Sequence, residues 1–208
     1  MTVTPSQLGR PVGADGEQTR ARIITAAMRC VAEAGFARAT IREIARAAEM
    51  TSGSLYHYFA NKSELLEATV DEMDRIALPR LRAAAARSDN VVDRLAAVLD
   101  ESSGLMRDYP DLAGFERAMR AAGHEHRHRL KKSGLKALRD VITEIIADAQ
   151  ARDALPAGTD PRAAANAIHA LARGLTERAA SLEPDAYAAT LDSAKGLLRG
   201  TLFADGRQ

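Results

Sequence analysis

A short segment near the end of the first third of the chain concentrates side chains that could bind a polar ligand. Residues 56–59 read Tyr-His-Tyr-Phe, in a chain in which only 4% of residues are aromatic. Phenol and imidazole groups hydrogen-bond to oxygen and nitrogen atoms of a ligand, and their rings stack on flat groups. Lys62 follows and adds a positive charge that could pair with an anion.

The spacing of these aromatic residues separates a core pair from the others. Leu55 and Phe59 are four residues apart and lie on one face of a helix, as core residues do. Tyr56 and His57 then lie on other faces, so a helix of two turns could not bury all four side chains. Burial remains the commoner role of any single aromatic residue. The pattern therefore favours an exposed position for at least part of the cluster.

The elements that carry this segment are helices throughout. Residues 1–16 are rich in Gly, Pro and small polar types and are predicted to form a flexible arm, and from Glu17 onward apolar residues recur with helical period. We predict an all-α protein of about nine helices. Pro79 is expected to bend or interrupt the fourth helix, and one long helix is expected from about His124 to Ala151.

Two short helices precede the fourth helix. The first begins with a predicted capping box formed by Thr40 and Glu43. The second runs from Ser52 to about Phe59, and Asn61 caps the helix that follows. Two short helices joined by a tight turn, after a longer first helix, are typical of a helix-turn-helix unit, whose second helix enters the major groove of DNA.

The stretch GFARATIREIARAAEMTSGSLYHYFANKSELL resembles the DNA-binding module of the tetracycline-repressor (TetR) family. The resemblance implies a DNA-binding domain over residues 17–64 and an effector-binding and dimerisation domain over residues 65–208. It also implies a set of DNA contacts, to phosphates or in the groove: Thr40, Thr51, Ser52, Gly53, Ser54, Tyr56, His57, Tyr58 and Lys62. Glu49 departs from the family pattern, which has glycine there, and we predict a positive φ at this residue.

Members of this family are typically homodimers that bind a small effector, so the resemblance implies both partners. The last two helices combine many small residues with leucines, a composition that lets helices approach closely. We expect an interface that uses Ile168, Leu171, Leu175, Leu191, Leu198 and Leu202, although an intramolecular packing face is the alternative.

Met and aromatic residues of the middle helices suit an adaptable apolar pocket, or equally a core. The candidate effector-binding residues are Leu99, Ser102, Met106, Tyr109, Phe115 and Met119. Arg117 and Arg120 could pair with an anionic ligand, but solvated surface arginines are the commoner case.

No residue set points to an enzyme, a cofactor or a metal site. His124 and His128 could chelate an ion from one helix face, but His126 points away and no further ligand completes the set. Cys30 has no CxxC partner and is interpreted as a packing residue. No nucleophile motif or phosphate-binding glycine loop is present in the sequence.

Composition agrees with a globular protein of the cytoplasm. The chain has 208 residues, 27% of them charged, and no run of about 18 apolar residues that would cross a membrane. Net charge is +3 over residues 1–62 and −2 over the rest. We expect a transcription regulator, most simply a repressor that an effector releases from a palindromic operator. The alternative is a helical small-molecule or metal sensor that does not bind specific DNA.

Overall fold

The structure, a computed structural model, describes residues 14–125 and 136–203, and within these ranges the chain is helical with no strand. The described ranges contain nine helices: α1 (Ala14–Ala34), α2 (Ile41–Ala47), α3 (Ser52–Tyr56), α4 (Lys62–Ala85), α5 (Val91–Asp108), α6 (Leu112–Glu125), α7 (Ala137–Ala151), α8 (Pro161–Ala179) and α9 (Pro184–Arg199). The all-α prediction is confirmed. In the described part of the chain, no helix is long and apolar enough to span a bilayer.

The amino-terminal helices form a small unit on one side of α4. Helix α1 ends where Gly35 takes a φ of 80°, a conformation that glycine adopts without a Cβ penalty. Helix α1 packs against α2, α4 and α6, and α2 packs against α3. Ile44, Leu55 and Phe59 are buried in the core beneath these contacts.

Helices α4 to α9 form the larger part of the molecule. Helix α4 packs against α5 and α7, α7 also contacts α5 and α8, and α9 lies against α5 and α8. Their buried apolar faces belong to the same core that continues under α1–α3. The proposed boundary between residues 64 and 65 falls inside α4, so one helix belongs to both parts.

Three predicted boundaries differ from the structure. Helix α3 ends at Tyr56, because the amides of His57 and Tyr58 bond to carbonyls three residues earlier and tighten the last turn. Pro79 does not interrupt α4, which packs on both sides of it through the buried Ala77 and Leu81.

The predicted helix from His124 to Ala151 is the third difference. Helix α6 extends to Glu125 and α7 begins at Ala137. His126, His128 and the side chain of His124 lie outside the described residues. Across the residues that are described, no group of His, Cys, Asp or Glu could hold a metal ion.

Candidate nucleic-acid interface

Helix α3 is fixed to the protein by its inner face. Leu55 is fully buried and Phe59, in the turn after the helix, is 2% exposed. The guanidinium of Arg20 in α1 lies 4.7 Å from the centre of the Phe59 ring, a cation–π distance. These contacts leave α3 with a defined orientation on α1 and α2.

The opposite side of α3 is open to solvent. We call Ser52, Gly53, Tyr56 and His57 the outer face of α3. Tyr56 is 53% exposed, His57 and Gly53 are exposed, and Ser52 is half-buried. The predicted separation of Tyr56 and His57 from the buried pair is therefore confirmed, whereas Tyr58 is half-buried and packs against the core.

Both short helices begin with a threonine cap. The Thr40 hydroxyl accepts a hydrogen bond from the Glu43 amide at 3.2 Å, and the Glu43 carboxylate accepts from the Thr40 amide at 2.9 Å, which confirms the capping box. The hydrogen bond from the Thr40 hydroxyl, followed by the one from its amide, lowers the pKa of Glu43. The Thr51 hydroxyl accepts from the Ser54 amide at 3.0 Å. Thr40 and Thr51 are both exposed.

The turn between α2 and α3 has the predicted strained residue. Glu49 has a φ of 55°, in the left-handed region that costs a non-glycine residue about 1–2 kcal/mol. The amide of Met50 bonds to the Ala45 carbonyl at 3.0 Å, so the chain closes tightly at the end of α2. Glu49 itself is exposed.

Lys62, a predicted DNA contact, directs its ammonium towards the protein. Its ammonium donates hydrogen bonds to the carbonyl of Phe36 and, at 2.6 Å, to the carbonyl of Ala39. The same nitrogen lies 4.5 Å from the centre of the Phe36 ring. Burial lowers the pKa of Lys62, opposed by the negative charge of Glu43. The side chain thus bonds within the protein.

The sequence prediction of DNA contacts did not include two exposed arginines of α2. Arg42 and Arg46 are exposed, and neither forms an ion pair with a residue in the described ranges. They are four residues apart, so they share one face of α2. That spacing, next to the capped start of the helix, was the available signal.

A family model for bacterial regulatory proteins of the tetR family matches residues 23–69, which cover the second half of α1, all of α2 and α3, and the start of α4. TtgR of Pseudomonas putida, an HTH-type transcriptional regulator, is 30% identical over 175 residues, which cover 79% of this chain and 81% of TtgR. The chain belongs to the TetR family. It is therefore a helix-turn-helix, DNA-binding transcriptional regulator.

Solved structures share the fold of this TetR-family chain. FadR of Bacillus subtilis, determined in complex with stearoyl-CoA, has a TM-score of 0.73 at 22% identity and covers 87% of this chain and 98% of its own. GusR of Salmonella enterica has a TM-score of 0.69 at 25% identity, with coverages of 96% and 100%. The agreement extends over α4–α9 as well as over the DNA-binding unit.

The candidate effector residues of this TetR-family regulator differ in burial. Leu99, Phe115 and Met119 are at most 2% exposed, so they belong to the core. Ser102 and Met106 on α5, and Tyr109 directly after it, are half-buried. Ser102 and Met106 are four residues apart and share one face of α5, and Tyr109 follows as the residue that caps the end of the helix.

The candidate dimer residues also divide into two groups. Leu175 and Leu191 are 5% and 7% exposed and pack inside the protomer, so they are not available to a partner. Ile168, Leu171 and Leu198 are partly buried against the core. Leu197 and Leu202 are exposed. Helical spacing alone did not distinguish Leu197 from its neighbour Leu198.

Proposed function

We propose that this chain is a dimeric repressor that binds a palindromic operator and leaves it when a small-molecule effector binds the α4–α9 part. The observation that carries the proposal is the outer face of α3, which keeps Tyr56 and His57 exposed while Leu55 and Phe59 hold the helix in place. A rigid short helix with polar side chains on its free side suits insertion into the major groove.

Contacts with the DNA backbone would surround this face. The exposed hydroxyls of Thr40 and Thr51 stand at the starts of α2 and α3, where backbone amides also point outward. Ser52 and Ser54 in the first turn of α3, together with Tyr58 after it, complete the proposed hydroxyl contacts. We add Arg42 and Arg46, since exposed arginines without a carboxylate partner supply the charge that binds phosphates.

The effector would act through α4. Helix α4 starts at the DNA-binding unit and packs against α5 and α7, so a ligand between these helices would change its tilt. The half-buried Ser102 and Met106 of α5, with Tyr109 at the end of the helix, mark the proposed entrance to this space. A coupling of about 1–3 kcal/mol would lower operator affinity about 5- to 150-fold.

Dimerisation would use the free sides of α8 and α9. Ala163, Ala167, Ala170 and Gly174 are all exposed and lie on one side of α8. Leu197 near the end of α9 and Leu202 just after it are 47% and 40% exposed, and a partner subunit could cover this apolar surface. A twofold dimer would place two α3 helices about 34 Å apart on one side of the duplex. We place such a dimer in the cytoplasm.

The decisive experiment is selection of genomic DNA fragments by the purified protein, followed by binding measurements over a range of salt concentrations. We expect enrichment of a palindromic fragment and an affinity that falls steeply as salt rises. Tyr56→Ala should weaken binding to that fragment more than binding to random DNA, and Tyr56→Phe separates the role of the hydroxyl from that of the ring. If no fragment is enriched, the proposal of a specific palindromic operator is wrong.

A further inference from the structure

The first residue of α4 connects two elements that are far apart in sequence. The Lys62 ammonium bonds to the carbonyls of Phe36 and Ala39, which belong to the connection between α1 and α2. Phe36 and Ala39 are 8% and 1% exposed, so this connection is packed into the protein. The contact closes a loop of 23 to 26 residues that contains the whole of α2 and α3.

The connection leads directly into the DNA-binding helices. Ala39 is followed by Thr40, whose capping box with Glu43 sets the start of α2. Helix α2 packs against α3 in turn. Holding the Ala39 carbonyl against the start of α4 therefore fixes the direction in which α2 leaves the connection, and with it the angle of α3.

The geometry of the ammonium leaves little capacity for a phosphate. A lysine ammonium has three protons, and two of them are donated to carbonyls in the protein. The Phe36 ring, 4.5 Å away, covers another side of the nitrogen. A phosphate could be reached only by the remaining proton, beside the Phe36 ring, whereas Arg42 and Arg46 are exposed and form no hydrogen bond or ion pair with another side chain in the described ranges.

We propose that Lys62 is a positioning residue for DNA recognition, which holds the α1–α2 connection to the start of α4 and does not bind a phosphate. The inference deepens the proposed function and rests on it. Because the same residue belongs to α4, any tilt of α4 at this end moves the α1–α2 connection with it. Lys62 is thus the point at which movement of α4 would reach α2 and α3.

The test compares the salt dependence of DNA binding for Lys62→Met and for the matched control Arg42→Met. Methionine keeps the length of the apolar stem and removes the ammonium. For Lys62→Met we expect affinity for the selected operator fragment to fall by about 10- to 100-fold, the range for removing hydrogen bonds of a charged group. The slope of log affinity against log salt should remain that of the wild type. For Arg42→Met the slope should become shallower by about 0.9 for each phosphate that the protein no longer neutralises.

A measurement on the wild-type protein keeps the test valid if Lys62→Met does not fold. We expect the ¹⁵Nζ resonance of Lys62, assigned by its absence in Lys62→Arg, to be visible in the free protein because its protons are held in hydrogen bonds. Exposed Lys136 provides the comparison with an ammonium that exchanges freely with water. DNA should leave the Lys62 resonance nearly unchanged.

Two results would overturn the proposal. One is a slope of log affinity against log salt that becomes shallower in Lys62→Met, as it would when a phosphate contact is lost, together with an equal loss of affinity for operator and random DNA. The other is a Lys62 resonance that appears only when DNA is added. Failure of the proposed function looks different, because the wild-type protein itself would then select no fragment.

Discussion

Gly53 occupies the second position of α3 although alanine would fit there without strain. A Cβ at this position would meet only the Thr51 hydroxyl, at 3.8 Å, and φ is outside the left-handed region. Glycine costs a helix about 1 kcal/mol relative to alanine. The free protein therefore gains nothing visible from this glycine, whereas close approach of a DNA backbone would require it.

Replacing Gly53 with alanine should separate stability from DNA binding. We expect the free energy of unfolding to stay constant or rise by up to about 1 kcal/mol, while operator affinity falls because the methyl group keeps the duplex away from α3. Denaturant unfolding and binding isotherms measure the two effects. Gly104→Ala in α5 is the matched control, with contacts no closer than 3.6 Å, and it should leave DNA binding unchanged. Equal affinity of Gly53→Ala and wild type would remove the argument for close approach.

At the scale of residues, the sequence predicted exposure and backbone conformation better than it predicted hydrogen-bond partners. The exposed Tyr56 and the left-handed Glu49 both followed from local spacing and from the family pattern. The bonds of Lys62 did not, because its acceptors are carbonyls 23 and 26 residues earlier, and a backbone carbonyl has no sequence signal. Arg42 and Arg46 were missed since exposure without an ion pair is a property of the folded structure.

At the scale of elements, the start of α7 is capped by a residue of another helix. Lys136 provides no side-chain cap, and instead the Asp74 carboxylate of α4 accepts from the amides of Lys136 and Ala137, both at 2.9 Å. Arg82 of α4 also bonds to Glu144 of α7, at 3.0 and 2.5 Å. Helix α4 therefore fixes both the first turn and the middle of α7.

Loss of the Asp74 cap should destabilise the start of α7. We expect Asp74→Ala to lower the free energy of unfolding by about 0.5–2 kcal/mol, the range for removal of a helix cap. Amide exchange should accelerate in the first turn of α7 and not in its middle. Asp74→Asn keeps an oxygen acceptor and should retain most of the stability, so equal losses in the two variants would contradict a capping role.

Helices α1 and α6 are in close contact at a glycine. A Cβ on Gly114 would lie 3.1 Å from the Cβ of Ala32, tighter than nearly all real contacts of this kind. This crossing joins the DNA-binding unit to the larger part of the protein independently of α4. The small size of both residues therefore sets the distance between the two helices.

A larger side chain at this crossing should force the helices apart. We expect Gly114→Val to lower the free energy of unfolding by about 1–3 kcal/mol, the usual cost of overpacking. Combining Gly114→Ala with Ala32→Gly moves the methyl group from one helix to the other and should recover stability relative to Gly114→Ala alone. A double-mutant cycle from thermal unfolding measures the coupling. Additive effects of the two changes would show that the residues do not touch.

Element types were predictable, but tertiary partners were not. Helical period, the Thr40 capping box and the Asn61 cap are local patterns, and all three are confirmed. The Asp74 carboxylate caps α7 by accepting from two amides that lie 62 and 63 positions later in the chain, so no local pattern reports this cap. The predicted end of α3, near Phe59, is too late because apolar spacing continues to that residue, whereas the backbone leaves the helical conformation earlier.

At the scale of the whole molecule, the exposed leucines of α9 define the expected contact between subunits. Sequence spacing grouped Leu191 and Leu198 with Leu202, because period alone does not tell an intramolecular face from an intermolecular one. The structure buries Leu191 and leaves Leu197 and Leu202 exposed. A dimer built on α9 would thus use the carboxyl end of the helix.

Leu197→Asp should dissociate the proposed dimer. We expect the dimer to weaken at least about 100-fold, since an unpaired charge buried in an interface costs about 3–5 kcal/mol. Light scattering measures the mass, and operator affinity should fall with it because two half-sites are no longer read together. Ala147→Asp, on the exposed side of α7, is the control and should remain dimeric. A monomeric wild-type protein at micromolar concentration would contradict the prediction.

Helix α4 limits how this regulator can be recombined with its relatives. Its first residue holds the α1–α2 connection, and its middle caps and pairs with α7. A chimera whose junction lies after α4 would combine α7 with a capping residue from another protein. A chimera whose junction lies before Lys62 would combine the borrowed α1–α3 with a foreign residue at the start of α4, the position that holds the α1–α2 connection. Engineers who exchange DNA-binding units between such proteins would have to transplant the matching partners of α4 at whichever end they cut.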